Sequence, residues 1–417
     1  MSKIKTKKWD IVNEKTLLVT VDIGKKANSG YCRWARGEIK PFEFPNHLMG
    51  FQLFWKRIGN LKEKFHLEKI VAGLESTGAY GEPVLHFLHQ RGVQLVQVNP
   101  LHTKRVKELT GNSPGKTDRK DPKVIADIIE LGRALTVVIP EGVAADLRRL
   151  TQARERAMNR RTALYNQLQD LVFLVFPEFL RVIKDVKGRT ARYLLKHYPR
   201  PRQVRQLGCE RLTRIMKKVS NGRLGRERAR ALFEAAGASA GIEQGQWAML
   251  LEGKQILSEV EGLESFVETV EGEMSRLLDQ VPYSRSILSV KGINKVTAAA
   301  LIGEVGDFRK FRTIGEILNL AGLNLFEISS GDRKGSRHIS KRGRSLLRKT
   351  LFFAALNMVR KGGVMHKVYQ QYLERGMLKM KALVAIARKL LRVVFALVRD
   401  GSEYRINEGA PAMELAA

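Results

Sequence analysis

The stretch TLLVTVDIG, residues 16–24, is an apolar run that carries no charge until Asp22 and is closed by Gly24. An uninterrupted run of this kind suits a strand covered on both faces, as in an α/β sheet layered with helices. Working outward, SGYCRWARGEIKPFEF (29–44) reads as two further strands joined by a turn at Arg36-Gly37, and HLMGFQLFWKRIGNLKEKF (47–65) has helical spacing. The pattern then repeats. LEKIVAGLES (67–76) is a buried-type strand ending at Glu75, GEPVLHFLHQRG (81–92) a helix closed by Gly92, and VQLVQVNP (93–100) another strand. A β-β-β-α-β-α-β-α order predicts an α/β N-terminal domain, assigned to residues 1–143.

Within that domain, GKTDRKDPKVIADII (115–129) sets Asp118 and Asp121 among cations, with Pro122 directly behind. Asp121 is suited to cap a helix and Pro122 to occupy its first position. Asp22 and Glu75 each end an expected strand, so both belong in the crevice at the strand ends, where carboxylates can offer hard oxygen ligands to Mg²⁺. Two such ions can stabilise the attacking and leaving oxygens of a phosphodiester displacement. Taken singly, each acid has an ordinary explanation as a turn, a cap or a surface ion pair. Taken together, all four fall at element ends of one domain.

The totals narrow the partner. A chain of 417 residues exceeds what one core usually serves, and its 74 Lys and Arg against 42 Asp and Glu give a net charge of +32. Such a field draws polyanions, and nucleic acid is the leading partner; a ribosomal-type structural protein and a membrane-surface protein are the bland alternatives. Cys32 and Cys209 are too few for a disulfide framework or a thiolate zinc site. MSKIKTKKWDIVNEK lacks the apolar core of an export signal, and the most apolar stretches are short or broken by Arg and Lys. The expectation is a cytoplasmic protein without a membrane span.

Residues 144–283 read as helical. The stretch from Leu147 to Phe176 is one long helix up to Pro177, followed by a less regular basic segment to about 245. Ile256, Val260, Leu263, Val267, Val270, Met274 and Leu277 then alternate spacings of four and three, a heptad seam flanked by glutamates. Its partner is either the Arg-rich earlier helix, run antiparallel, or a second copy of the chain.

The remainder, 284–417, is mainly α and strongly basic, with eighteen Lys and Arg against two acids over residues 331–399. SILSVKGINKVTAAALIGEVGDFRKF (286–311) has the outline of a helix-hairpin-helix, in which Lys295 and the turn amides suit phosphate contact without reading sequence. Beyond it, Ser329 and Ser330 precede Gly331 in a cation-rich stretch. A serine hydroxyl can attack phosphorus when a base or metal lowers its proton affinity, although Ser-Ser-Gly is more often only a loop.

Together, VTVDIG, GLESTGAYGEPVLHFLHQRGVQLVQVNP and GKTDRKDPKVIADI, joined by SSG…KG…ISKRGR…LR near the C-terminus, resemble the DEDD transposases of the bacterial insertion-sequence-110 group and the related Piv invertases. The resemblance covers about residues 16–135 and 284–400. It implies a RuvC-like, ribonuclease H-type N-terminal domain, a helical coiled-coil middle and a C-terminal transposase domain. By position it makes Asp22, Glu75, Asp118 and Asp121 the metal-binding catalytic acids for one or two Mg²⁺ ions. Ser330 becomes the nucleophile, with Ser329 one register step away, and Arg333, Lys334, Arg337, Lys341, Arg342 and Arg344 join Lys295 as nucleic-acid contacts. Pro122 departs from the family, where a small helix former usually follows the last acid. The implied activity is DNA strand cleavage and rejoining through a serine link, guided by a structured non-coding RNA, in a dimer or tetramer whose composite site the heptad seam would help build. Two rivals use the same residues differently: a junction resolvase or nuclease with water as nucleophile, and a non-catalytic nucleic-acid-binding protein.

Overall fold

Thr16–Asp22 forms strand β1, with six of its seven residues buried. In the computed structural model, which describes residues 12–75, 78–110, 121–327 and 337–405, β1 lies at the middle of a seven-stranded sheet. Antiparallel to it runs β2 (Ala27–Trp34), and on the outer edge of β2 lie β3 (Gly37–Glu38) and β4 (Phe42–Pro45). On its other side β5 (Lys69–Glu75) and then β6 (Gln94–Val98) run parallel to it, and β7 (Leu135–Thr136) closes the sheet antiparallel to β6. The one strand expected after Gly37 is therefore two short ones. Pro41 lies between them, and a proline cannot donate to a ladder.

The alternation of β1 explains its continuous hydrophobicity. Leu17, Val19 and Val21 pack with Phe51, Phe54 and Ile58 of helix α1 (Leu48–Lys64) and with Val84, Phe87 and Leu88 of α2 (Glu82–His89). Leu18 joins Val71, Val96 and Val98 of the neighbouring strands against Val124, Ile125, Ile128 and Ile129 of α4 (Asp121–Glu130). Helix α3 (Pro100–Thr110) precedes α4 in the chain. Both faces of the sheet are covered, so neither parity of β1 tolerates a charge until the strand ends.

By contacts, the chain divides into two compact units, Met1–Ala145 with Tyr283–Ala417, and Asp146–Pro282. In the second unit, helix α5 (Val143–Val175) and helix α11 (Gln246–Leu278) are antiparallel partners. Arg154 pairs with Glu271 and Arg160 with Glu259, both at 2.7 Å, and Gln167 donates to Glu252 at 2.6 Å, so one number rises as the other falls. The seam residues Ile256, Val260, Val267, Val270, Met274 and Leu277 are buried. Of the two partners the periodicity left open, the structure shows the first, the Arg-rich helix of the same chain. The segment read as irregular is five short helices, α6 (Phe179–Val182), α7 (Arg189–His197), α8 (Pro201–Leu207), α9 (Cys209–Val219) and α10 (Arg226–Gly237). They bury Leu194, Leu212, Met216 and Leu232 against Tyr165, Leu168 and Leu257 of the long pair.

The C-terminal part of the first unit comprises α12 (Ser284–Leu288), α13 (Lys295–Val305), α14 (Ile314–Ala321), a β8–β9 ribbon (Leu325–Glu327 with Arg337–Ile339), α15 (Ser345–Met358), α16 (His366–Glu374) and α17 (Lys379–Asp400). The hairpin read at 286–311 has a first arm of only five residues, and its turn needs Gly292, which sits at φ +102 with Met358 2.8 Å from where a Cβ would stand. Among the described residues no helix is long and apolar enough to cross a membrane.

Candidate active site at the sheet edge

Asp22 and Glu75 are the last residues of β1 and β5. These strands are parallel with Val21 opposite Leu74, so the next pair in the register is Asp22 beside Glu75. Neighbouring strands stand about 5 Å apart, and residues of one register pair share a face. Which face follows from the residues before them. Leu18 and Val71 pack under α4, the Thr20 hydroxyl donates to the Pro122 carbonyl at 2.5 Å, and a Cβ on Gly73 would meet Ile129. Asp22 and Glu75 continue that alternation toward α4.

Helix α4 begins at Asp121, next to the residue that Thr20 holds. It runs antiparallel to β1, because its later residue Asp127 pairs with Arg33 at 2.6 Å, and Arg33 lies opposite Leu18. Pro122 is thus accommodated in the first turn, where no backbone donor is required. Lys123 also bonds Glu38 at 2.6 Å, and the Tyr31 hydroxyl donates to the same carboxylate. Lys123 first, then Tyr31, draw the Glu38 carboxyl down to about 2, while burial pushes the Tyr31 phenol up. This network fixes α4 across β2 and β3, and through α4 it fixes Asp121.

Three of the four sequence-predicted acids therefore approach one corner from β1, β5 and α4. Each is half-buried and each has polar or electrostatic contacts within the fold. Asp118 lies outside the described residues. Among the described residues no three His, Cys, Asp or Glu side chains close into a set that could hold a metal ion. The donor chemistry nonetheless suits a hard cation, since Asp22, Glu75 and Asp121 each offer carboxylate oxygen. A broad cleft of about 960 Å³, lined by Trp55, Lys62, Lys69 and Arg91, lies at the opposite ends of β5 and β6 and is not part of this site.

The predicted cations fare differently from one another. Ser329, Ser330, Arg333 and Lys334 lie outside the described residues. Arg337 is paired with Glu327 at 3.1 Å, and the β8–β9 register brings these two opposite each other. Lys341 is exposed with a left-handed backbone at φ 53, and Lys295 is exposed in the first turn of α13. Arg344 donates to the carbonyls of Val138, at 2.5 Å, and Glu304. Its guanidinium is thus occupied in tying the approach to α15 to the sheet domain, an anchoring role that its sequence neighbourhood of surface cations concealed. Arg342 reaches His102 on α3, with Nη1 3.2 Å from Nε2. Sequence reasoning missed His102, whose only signal was its place just after the β6 strand end.

Residues 19–177 match a transposase family of the DEDD, IS110 type, and residues 284–370 match the transposase IS116/IS110/IS902 family. The chain is 24% identical to the insertion element IS110 43.6 kDa protein of Streptomyces coelicolor over 95% of its length and 97% of that protein's. It is 26% identical to the insertion element IS116 44.8 kDa protein of Streptomyces clavuligerus over 69% of this chain and 72% of the relative. The transposase of insertion sequence element IS1111A from Coxiella burnetii is 23% identical over 75% of this chain and 74% of its own. With both matches in chain order, one over the sheet and its acids and one over the basic C-terminal part, the protein belongs to the IS110/IS116 insertion-element transposase family.

Proposed function

We propose that this protein is a DNA transposase that cuts and rejoins strands at the acidic corner of its sheet, with Ser330 as nucleophile and a structured guide RNA choosing the site. The observation that carries the reading is the β1–β5 register, which sets Asp22 beside Glu75 on the face where α4 delivers Asp121. The strand order, with an antiparallel β2 on one side of β1 and parallel β5 and β6 on the other, suits a RuvC-like, ribonuclease H-type sheet. Asp22, Glu75, Asp118 and Asp121 would hold Mg²⁺, as one ion or two. A bound Mg²⁺ supplies polarisation of the phosphate and neutralises charge on the leaving oxygen.

The rest is the work of the chain itself. The carboxylates bind and orient, and the covered sheet behind them excludes water from one side. As the Ser330 oxygen bonds to phosphorus and gives up its proton, the bond from phosphorus to the adjoining sugar oxygen breaks, and that oxygen takes up a proton. The phosphoserine conserves the ester, so attack by another sugar hydroxyl rejoins strands and restores the serine. One serine per chain can hold one strand, so exchange of duplexes requires a homo-oligomer, a dimer or tetramer. A net charge of +32 suits simultaneous contact with DNA and RNA backbones, leaving sequence choice to base pairing.

The test is a supercoiled plasmid incubated with the protein and Mg²⁺, scored for covalent protein–DNA adduct. Wild type should form the adduct, Ser330→Ala should bind DNA without forming it, and Asp22→Asn should not cleave. Free ends without adduct would move the nucleophile from serine to water. Wild-type cleavage by Asp22→Asn would overturn the site.

A further inference from the structure

Beside the acidic corner, the same sheet edge carries a cluster of opposite sign. Val98 at the end of β6 is the register partner of Glu75. The β6–β7 ladder pairs Val96 with Thr136 and Gln97 with Leu135, so its continuation sets Arg133 opposite Asn99. The chain then enters α3, where His102 and Arg105 are one turn apart on one face. Arg342, from the C-terminal part of the same unit, closes the group with its 3.2 Å contact to His102 Nε2. Three guanidiniums thus arrive from three separate parts of the chain.

The group is short of acceptors. Arg105, Arg133 and Arg342 are exposed, and none pairs with an acid among the described residues. A guanidinium can only donate, so His102 must accept through Nε2 and carry its proton on Nδ1. That Nδ1 is buried and has no hydrogen-bond partner. Burial, and then the fields of Arg342, Arg133 and Arg105, hold the imidazole below its ordinary range, which keeps it neutral and able to accept. Other cations near the sheet do meet acids, as Lys123 meets Glu38 and Lys310 meets Glu141.

We propose that Arg105, Arg133 and Arg342, gathered around His102, form a phosphate-binding subsite for the nucleic-acid backbone next to the acidic corner. A guanidinium fork matches phosphate oxygens in pairs, and a phosphodiester group supplies the acceptors and the negative charge that the cluster lacks. The inference deepens the transposase reading and rests on it for the identity of the polyanion. His102 acts as a positioning residue by holding Arg342.

The test measures binding in EDTA, where no cleavage occurs, so it stands apart from the test of catalysis. Anisotropy of a labelled 30-base-pair DNA duplex and of a labelled RNA hairpin is followed against salt for wild type and for Arg105→Gln/Arg133→Gln/Arg342→Gln. At low salt the triple variant should lose roughly tenfold or more in affinity, and its log–log salt slope on duplex should fall by about 0.9 for one phosphate no longer contacted. Loss confined to duplex or to hairpin identifies which backbone occupies the subsite, and either supports it. Arg133→Gln alone guards against misfolding, because Arg133 makes no ion pair among the described residues. It should show a smaller loss in the same direction. Wild-type affinity and slope in both variants would overturn the subsite even if cleavage proceeds as proposed. A binding loss in a protein that never cleaves would leave the subsite standing and remove the catalytic reading.

Discussion

Gly73→Ala should reveal how tightly the acidic corner is tied to the packing beneath it. Gly73 lies in β5 under α4, and a methyl there would stand 2.1 Å from Ile129 Cδ1 and 3.5 Å from Thr20 Cγ2. Carbon atoms rest at about 3.5–4.0 Å, so the overlap is roughly 1.5 Å. Ile129 is 2% exposed. Either Ile129 leaves its rotamer or α4 lifts from the sheet against the Thr20 and Arg33 bonds that hold it. Overpacking of this kind costs about 1–3 kcal/mol, and the lower chain entropy of alanine in the unfolded state offsets about 0.4–1 kcal/mol of that. The expected net loss is about 1–2 kcal/mol in urea unfolding. Cleavage should fall more steeply, because Asp121 rides on α4 and a displacement near 1 Å can cost about a hundredfold. Ile129→Val removes the clashing atom at a cost of about 0.5–1.5 kcal/mol by itself. The double variant should therefore be more stable than the sum of the singles by about 1 kcal/mol, with cleavage partly restored. Additivity within about 0.5 kcal/mol would refute the reasoning, since uncoupled sites behave that way.

Glu38→Gln should destabilise the fold by about 1 kcal/mol at neutral pH, the scale of a partly exposed ion-pair network. The Glu38 carboxyl is depressed from 4.5 to about 2 in the fold, so its contribution is complete above 4.5 and fades as pH falls toward 2. Urea midpoints of the two proteins should converge as pH is lowered from 6 to 3, and a constant gap would contradict the assignment. In the helical unit Glu264 accepts from Arg192 at 2.6 Å and from the Tyr165 hydroxyl at 3.2 Å, with Arg161 at 3.6 Å. Glu264→Gln should cost about 1 kcal/mol, and thermal melting without any downward shift would show that the network holds nothing.

What the sequence disclosed depended on how local the cause was. β1 and β5 were legible because burial on both faces forces an unbroken apolar run, and their terminal acids were legible as the points where that run stops. The start of α4 was legible from Asp121-Pro122, although Asp121, expected as the cap, is the first residue of the helix itself. The strand after Gly37 was misread because Pro41 interrupts a pairing that the surrounding aromatics suggest. The partner of the heptad seam was left open by periodicity, which cannot say whether the second helix comes from the same chain; the Arg–Glu pairs along α5 and α11 supply that answer. Arg344 could not be read at all. Its acceptors are backbone carbonyls 40 and 206 residues away, and no side-chain pattern records a carbonyl.

In the proposed reading, carboxylates and guanidiniums share one end of the sheet but stand on different strands. Elsewhere an acid and a cation of this protein meet directly, as at Lys310 and Glu141 at 2.5 Å. At the proposed site the acids stand on β1, β5 and the start of α4, and the guanidiniums, which pair with no acid among the described residues, begin one strand further on, around the β6 end. Strand spacing places the strand ends that carry them about 5–10 Å apart, comparable with the screening length of about 8 Å at physiological salt. In the proposed reading, a nucleic-acid strand laid across these strand ends would meet phosphate donors at the β6 side and carboxylates at the β1–β5 side, so the register of the sheet would set its path.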